Sequence, residues 1–374
     1  MKTKVLITLL GALFSGVFSI GAQIPAYYLS VDFYQDGNEL KDDLSTLISA
    51  THTTLIPYTI PPPSSSIDTW DVVHQSDADV SISGNVVLIY GYNDSDNITK
   101  NDRTRPIADQ ASGFCIGYWN REHVFAKSLA NPTLETSPAG SGTDVHNLRA
   151  ADCQMNSTRN NRFYINASGN SDIVHIEGHP ICDRGPGGNP EGCFYPGDEF
   201  KGDVARIIMY MYLRYPTQCE PINIGIGSTS YSNDADMPNI FLEWNEEDPV
   251  SEFERNRNDV IFSFQGNRNP FIDNPYLATL IWNGPESEDS WGLLSTVDLD
   301  FKTVFIHPSI AQDYVYIEGL EVSKEAVNIY NQLGQTLEFE LEGNRIDVSG
   351  LSQGMYLIHV QERNQTKLFK FLVY

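Results

Sequence analysis

Positive charge is scarce in this 374-residue chain, where 24 lysines and arginines face 49 aspartates and glutamates for a formal net charge of −25. Such a balance repels polyanions at long range, so a nucleic-acid partner would have to be held by a local basic cluster or a bound cation. Cysteine is sparse too. Cys115, Cys153, Cys182, Cys193 and Cys219 are the five present, and no C-x-x-C spacing occurs, which removes the main zinc pattern. In an oxidising compartment they form at most two disulfides and leave one thiol over. Cys182 and Cys193, close together in a Gly/Pro-rich stretch, are the first expected pair. Long apolar runs are missing after the start of the chain, so no later segment is expected to span a membrane. The opening "MKTKVLITLLGALFSGVFSIGAQ" pairs Lys2 and Lys4 with a short apolar run and small residues at Gly21 and Ala22. This is the pattern of a secretory signal peptide over residues 1–23, and it implies an exported, soluble protein; a monomer is expected.

What is present suits a folded protein of two or three domains, with 41% hydrophobic residues to build a core. Leu40, Leu44, Leu47 and Ile48 share a helical face, and the helix stops before Pro61 to Pro63. "NVVLIYG", residues 85–91, reads as a buried strand. "NDSDNITKND", residues 93–102, is a polar loop whose acids lack EF-hand spacing. Val204, Ile207, Ile208, Met211 and Tyr215 form one stripe of a core helix. Residues 284–300 are acidic and read as a linker. From residue 301 to 374 short alternating segments between Gly/Asn turns predict a small all-β sandwich without a catalytic set. The fold class expected is therefore α+β: a mixed α/β domain over residues 24–283, then the sandwich.

Chemistry concentrates in "REHVFAKS", residues 121–128, and "DVHNLRAADCQMNSTRNNRF", residues 144–163. Glu122 and His123 are neighbours and would point to opposite faces of a regular strand, so both can serve one site only where a strand ends or bends. Asn156 offers a neutral oxygen to a hard cation, although Asn156-Ser157-Thr158 also matches a glycosylation sequon. Arg149 and Arg159 suit a phosphate or a surface acid equally well. His146 is a candidate ligand or a structural histidine. "HIEGHP", residues 175–180, fails as a metalloprotease motif because Glu177 is displaced and Pro180 breaks a helix.

Four blocks in order, "WNREHVFAKS", "DVHNLRAADCQMNSTRNNRF", "FKGDVARIIMYMYLRY" and "EFERNRNDVIFSFQGNRNPFID", resemble the endonuclease I family of secreted bacterial nucleases. "YYLSVDFYQDGNELKDDLSTLI" and "DTWDVVHQSDAD" extend the likeness to residues 27–283. The resemblance implies a ββα-metal site that cleaves DNA, and in many members RNA, with little sequence preference and 5′-phosphate products. It makes His123 the general base and gives one magnesium ion to Glu122 and Asn156. Arg149 and Arg159 are its candidates for a phosphate-stabilising arginine. Ala126 and Ala150 stand where members often carry proline. The tail from His307 resembles a type IX secretion sorting domain, which makes the secretion machinery a partner beside the nucleic acid. The rival functions are another secreted metal-dependent phosphoesterase and a calcium-dependent adhesin.

Overall fold

The computed structural model describes residues 24–293 and 304–374, apart from 62–63, 112, 184–190, 321, 333 and 363–364. The expected signal peptide, the later part of the expected linker and part of the Gly/Pro-rich stretch lie outside the described residues.

In chain order the first domain holds α1 (Gly37–Thr51), α2 (Thr69–Ser76), β1 (Asn85–Val87), β2 (Thr104–Pro106), β3 (Trp119–His123), β4 (Leu148–Asp152) and α3 (Cys153–Arg159). After these come β5 (Asp172–Val174), β6 (Cys193–Tyr195), α4 (Lys201–Arg214), α5 (Asn239–Glu247), α6 (Glu252–Gln265), α7 (Pro270–Asp273) and α8 (Tyr276–Trp282). Helix α4 is the axis of the core, buried on every side from Gly202 to Leu213. It packs against α1, which turns Leu40, Leu44 and Ile48 inward from an Asp36 N-cap, and against α5 and α7. Helix α6 starts in a Ser251–Glu254 capping box and stops at Gly266, whose φ of 89° requires glycine.

Two features differ from the sequence reading. The strand at 85–91 is only three residues long, because Tyr90 turns to a φ of 73° and Gly91 N–H closes a turn onto the Leu88 carbonyl. The expected linker does not begin at residue 284. Trp291 and Leu293 are buried in the main core, with Trp291 4.8 Å from the Tyr28 ring and 5.4 Å from that of Phe33. Acidic composition misled here, because Glu286, Glu288 and Asp289 mask two large apolar anchors behind them.

The tail is the all-β sandwich expected. Its strands are β7 (Phe305–His307), β8 (Ile310–Ala311), β9 (Tyr314–Glu318), β10 (Val327–Tyr330), β11 (Thr336–Leu337), β12 (Glu340–Glu342), β13 (Arg345–Asp347), β14 (Gly354–Glu362) and β15 (Gln365–Val373). One sheet runs β11-β10-β14-β15-β8 and the other β12-β13-β9-β7. Val315, Ile317 and Ile346 from one sheet meet Ile329, Ile358, Val360 and Phe371 from the other. The α+β class holds for the chain.

Two disulfides close loops in the first domain, Cys115–Cys153 and the expected Cys182–Cys193, and Cys219 remains a buried free thiol. No helix among the described residues is long and apolar enough to cross a membrane.

Candidate active site

Strands β3 and β4 pair antiparallel, with Glu122 opposite Arg149 and His123 opposite Leu148, and α3 follows β4 directly. Asp152 makes the hand-over, accepting from the Gln154 and Met155 N–H groups as N-cap. Strand β3 ends at His123, and both Glu122 and His123 line one open cavity of about 300 Å³. Asn156 and Arg159 of α3 line it too, with Arg121, Lys127, Ser128 and Asn161.

Each side chain is held from behind. The His123 ring stacks on Tyr58 at 5.6 Å, and its Nε2 lies 2.8 Å from the Gly142 carbonyl. A carbonyl only accepts, so Nε2 carries the proton and Nδ1 is left as the basic nitrogen. Burial pushes this imidazole down to about 4, against a smaller upward pull from the Gly142 bond, so it is neutral at physiological pH. Gly142 is obligatory at this point. A Cβ there would sit 2.2 Å from the Glu135 carbonyl oxygen.

Glu122 is 3% exposed, and burial lifts its carboxyl to about 7 against the opposing pull of Arg159 and Tyr90. Tyr90 donates to its Oε1 at 3.2 Å, and Arg159 Nε lies 3.5 Å from the same oxygen. The positive φ at Tyr90 is uncommon for a bulky residue, and it delivers this hydroxyl to Glu122 and to Tyr164 at 2.7 Å. Asn156 donates through Nδ2 to Asn120 Oδ1 at 2.8 Å and to the Arg121 carbonyl at 3.4 Å, and its Oδ1 accepts from none of the described residues, as a cation ligand requires. A carboxylate and an amide oxygen in an open cavity suit magnesium, which binds through few protein ligands and keeps several waters. Among the described residues no three His, Cys, Asp or Glu side chains converge into a closed metal cage.

The two candidate arginines separate. Arg159 is fully buried yet lines the cavity; it donates to the Val124 and Asn160 carbonyls at 2.8 Å and lies over the Tyr164 ring. Arg149 does not reach the cavity. Although opposite Glu122 in register, its guanidinium turns to Asp77 at 3.1 Å and Asp203 at 2.5 Å, in a buried network shared with Arg257, Arg206 and Glu254. His146 is also remote, with its ring 4.4 Å from Tyr210 and Nε2 3.3 Å from the Asn267 carbonyl. "HIEGHP" is a loop that follows β5, in which His179 Nδ1 accepts from the Cys182 N–H.

Sequence reasoning did not single out Tyr58, Tyr90, Asn120, Gly142 or Lys127. Lys127 stood inside the quoted "REHVFAKS" block and has no ion-pair partner among the described residues. The cavity lining thus carries Arg121, Lys127 and Arg159 against one acid, Glu122, so a phosphate meets local positive charge on an acidic protein. Ala126, where members of the resembled family often carry proline, keeps a φ of −59°, the angle a proline ring would impose.

Residues 36–276 match endonuclease I, and the chain belongs to that metal-dependent family. Residues 305–374 match the secretion system C-terminal sorting domain. The protein is therefore a hydrolytic nuclease, secreted or held at the cell surface. It is 36% identical to the "Extracellular ribonuclease" of Bacillus amyloliquefaciens over 276 residues, which cover 72% of this chain and 82% of that protein. The "Extracellular ribonuclease" of Bacillus subtilis (strain 168) is 36% identical over 271 residues, 69% of this chain and 81% of its own.

Proposed function

We propose that the protein is a magnesium-dependent endonuclease that hydrolyses DNA and RNA with little sequence preference and leaves 5′-phosphate ends. The observation that carries this reading is the convergence of His123, Glu122, Asn156 and Arg159 on one basic-lined cavity, with His123 Nε2 anchored on Gly142. His123 Nδ1 takes a proton from water, whose oxygen attacks the phosphorus in line, the bond from phosphorus to the 3′ oxygen breaks, and the departing 3′ oxygen takes a proton from solvent to leave as a hydroxyl. A magnesium ion on Glu122 and Asn156 would neutralise charge at the phosphate and the departing oxygen. Arg159, fixed by two carbonyls, faces the developing negative charge from the cavity wall, and Lys127 draws the strand in. Arg149 holds β4 in place from the buried ion network.

The nucleophile in this scheme is water, so the 2′-hydroxyl has no part and both RNA and DNA can be cut. Both relatives carry ribonuclease in their names, which supports RNA beside DNA. No base-reading module is recognisable in the sequence, which favours cleavage without sequence preference. The end-group test is direct: cut a DNA oligonucleotide and its RNA counterpart in magnesium and in chelator. The proposal requires 5′-phosphate and 3′-hydroxyl ends from both, and no cutting in chelator. RNA fragments ending in 2′,3′-cyclic phosphate, with DNA intact, would mean attack by the 2′-hydroxyl and would refute it.

A further inference from the structure

Helix α3 carries more than Asn156 and Arg159. Its first residue, Cys153, is bonded to Cys115, with the two Cα atoms 5.1 Å apart, which fastens the turn from Gly113 to Tyr118 onto the helix. Gly113 at a φ of 123° and Gly117 at 77° bend this turn through angles that glycine adopts freely. The bend presents Phe114 and Ile116 on either side of the bridge, each 73% exposed. Phe114 leans on the half-buried Tyr118 ring at 6.2 Å and otherwise faces water.

The bridge joins the helix one turn before a residue that lines the cavity. Cys153 and Ser157 are four residues apart and share a face. Ser157 lines the cavity, and its Oγ donates to the Cys153 carbonyl at 2.8 Å. Asn156 is about 5 Å of helical rise beyond the bridge. The stretch GFCIGY, residues 113–118, holds no charge in a chain with 49 acids, so a polyanion seated at the cavity meets no repulsion there. A strand bound by its phosphates offers such a surface one matching group, the flat face of an unpaired base.

We propose that Phe114, backed by Tyr118 and braced by the Cys115–Cys153 bridge, stacks on an unpaired base of the strand being cut. Bases in a duplex are already stacked on their neighbours, so only single-stranded or frayed substrate gains the contact. The inference rests on the reading of the cavity as the cleavage site.

The test compares kcat and KM of the full chain with those of Phe114→Ala and Phe114→Trp. The substrates are a single-stranded oligonucleotide, the same strand with abasic residues, and a blunt duplex. Phe114→Ala should raise KM on the normal single strand about tenfold while kcat holds, the scale of one lost base–aromatic stack. Phe114→Trp should restore it, and neither change should move KM on the abasic strand or the duplex. Wild-type KM in Phe114→Ala on the single strand, or an equal rise on all three substrates, overturns stacking and leaves the nuclease intact. A wild-type chain that cuts none of the substrates overturns the reading of the cavity, and this proposal falls with it.

Discussion

A chain ending at Trp282 should lose much of its stability, and one ending at Ser295 should not. The shorter chain discards Trp291, 8% exposed against Tyr28 and Phe33, and Leu293, 9% exposed in the same core. Removing a buried Trp side chain costs about 3–5 kcal/mol. It also takes away Ser287, whose Oγ accepts from the buried Asn245 amide at 2.9 Å. An amide left without that partner costs roughly 1–3 kcal/mol more. Against a total stability of about 5–15 kcal/mol, that loss leaves the shorter chain marginal. At about 2–4 °C per kcal/mol for a domain of this size, its melting point should fall by roughly 10–20 °C. Thermal melts by circular dichroism, run beside nuclease rates, check this. The chain ending at Ser295 should keep its rate without the sandwich, since no cavity residue comes from there. Melting points within about 2 °C of each other would show that residues 283–293 are the linker their composition suggested.

Acid should weaken the fold through His146, which burial holds at about 3. The unfolded chain takes up that proton near 6.5, so stability is full above about 6.5 and falls towards 3 by about 1.4 kcal/mol per pH unit. Asp144, lowered chiefly by His52 and His146 against its own burial, adds loss in the same direction at lower pH. His146→Gln should flatten the wild-type slope in melts from pH 4 to 7, and an unchanged slope would count against it. Gly142→Ala forces the backbone away from Glu135 and displaces the carbonyl on His123. It should cut kcat by roughly a hundredfold, the scale of a 1 Å misplacement, with magnesium affinity unaltered. A rate near wild type would remove Gly142 from the positioning of His123.

Periodicity and motif carried much of the molecule. Leu40, Leu44 and Ile48 do face the core from α1, the stripe on α4 runs through the centre, and the tail's alternating segments are strands of a sandwich. The blocks around Glu122 and Asn156 pointed to the stretches that meet in space. Other parts rest on contacts between residues far apart in sequence. Nothing near Arg149 reveals that Asp77 and Asp203 will take its guanidinium inward, or that Arg159 will be the one of the two candidate arginines to stay at the cavity. Tyr90 read as a strand residue because side-chain type does not disclose a positive φ. Cys115 and Cys153, 38 residues apart, lacked the proximity that marked Cys182 and Cys193.

The division of labour between His123 and Asn156 is tested most directly by titrating magnesium against cleavage rate for the wild type, His123→Ala and Asn156→Ala, each verified as folded by its melt. Loss of the general base should lower kcat by roughly a hundredfold or more at every magnesium concentration. Loss of the amide ligand should weaken magnesium affinity, so that excess magnesium restores part of the rate. A well-folded His123→Ala chain that cuts at the wild-type rate would contradict the account.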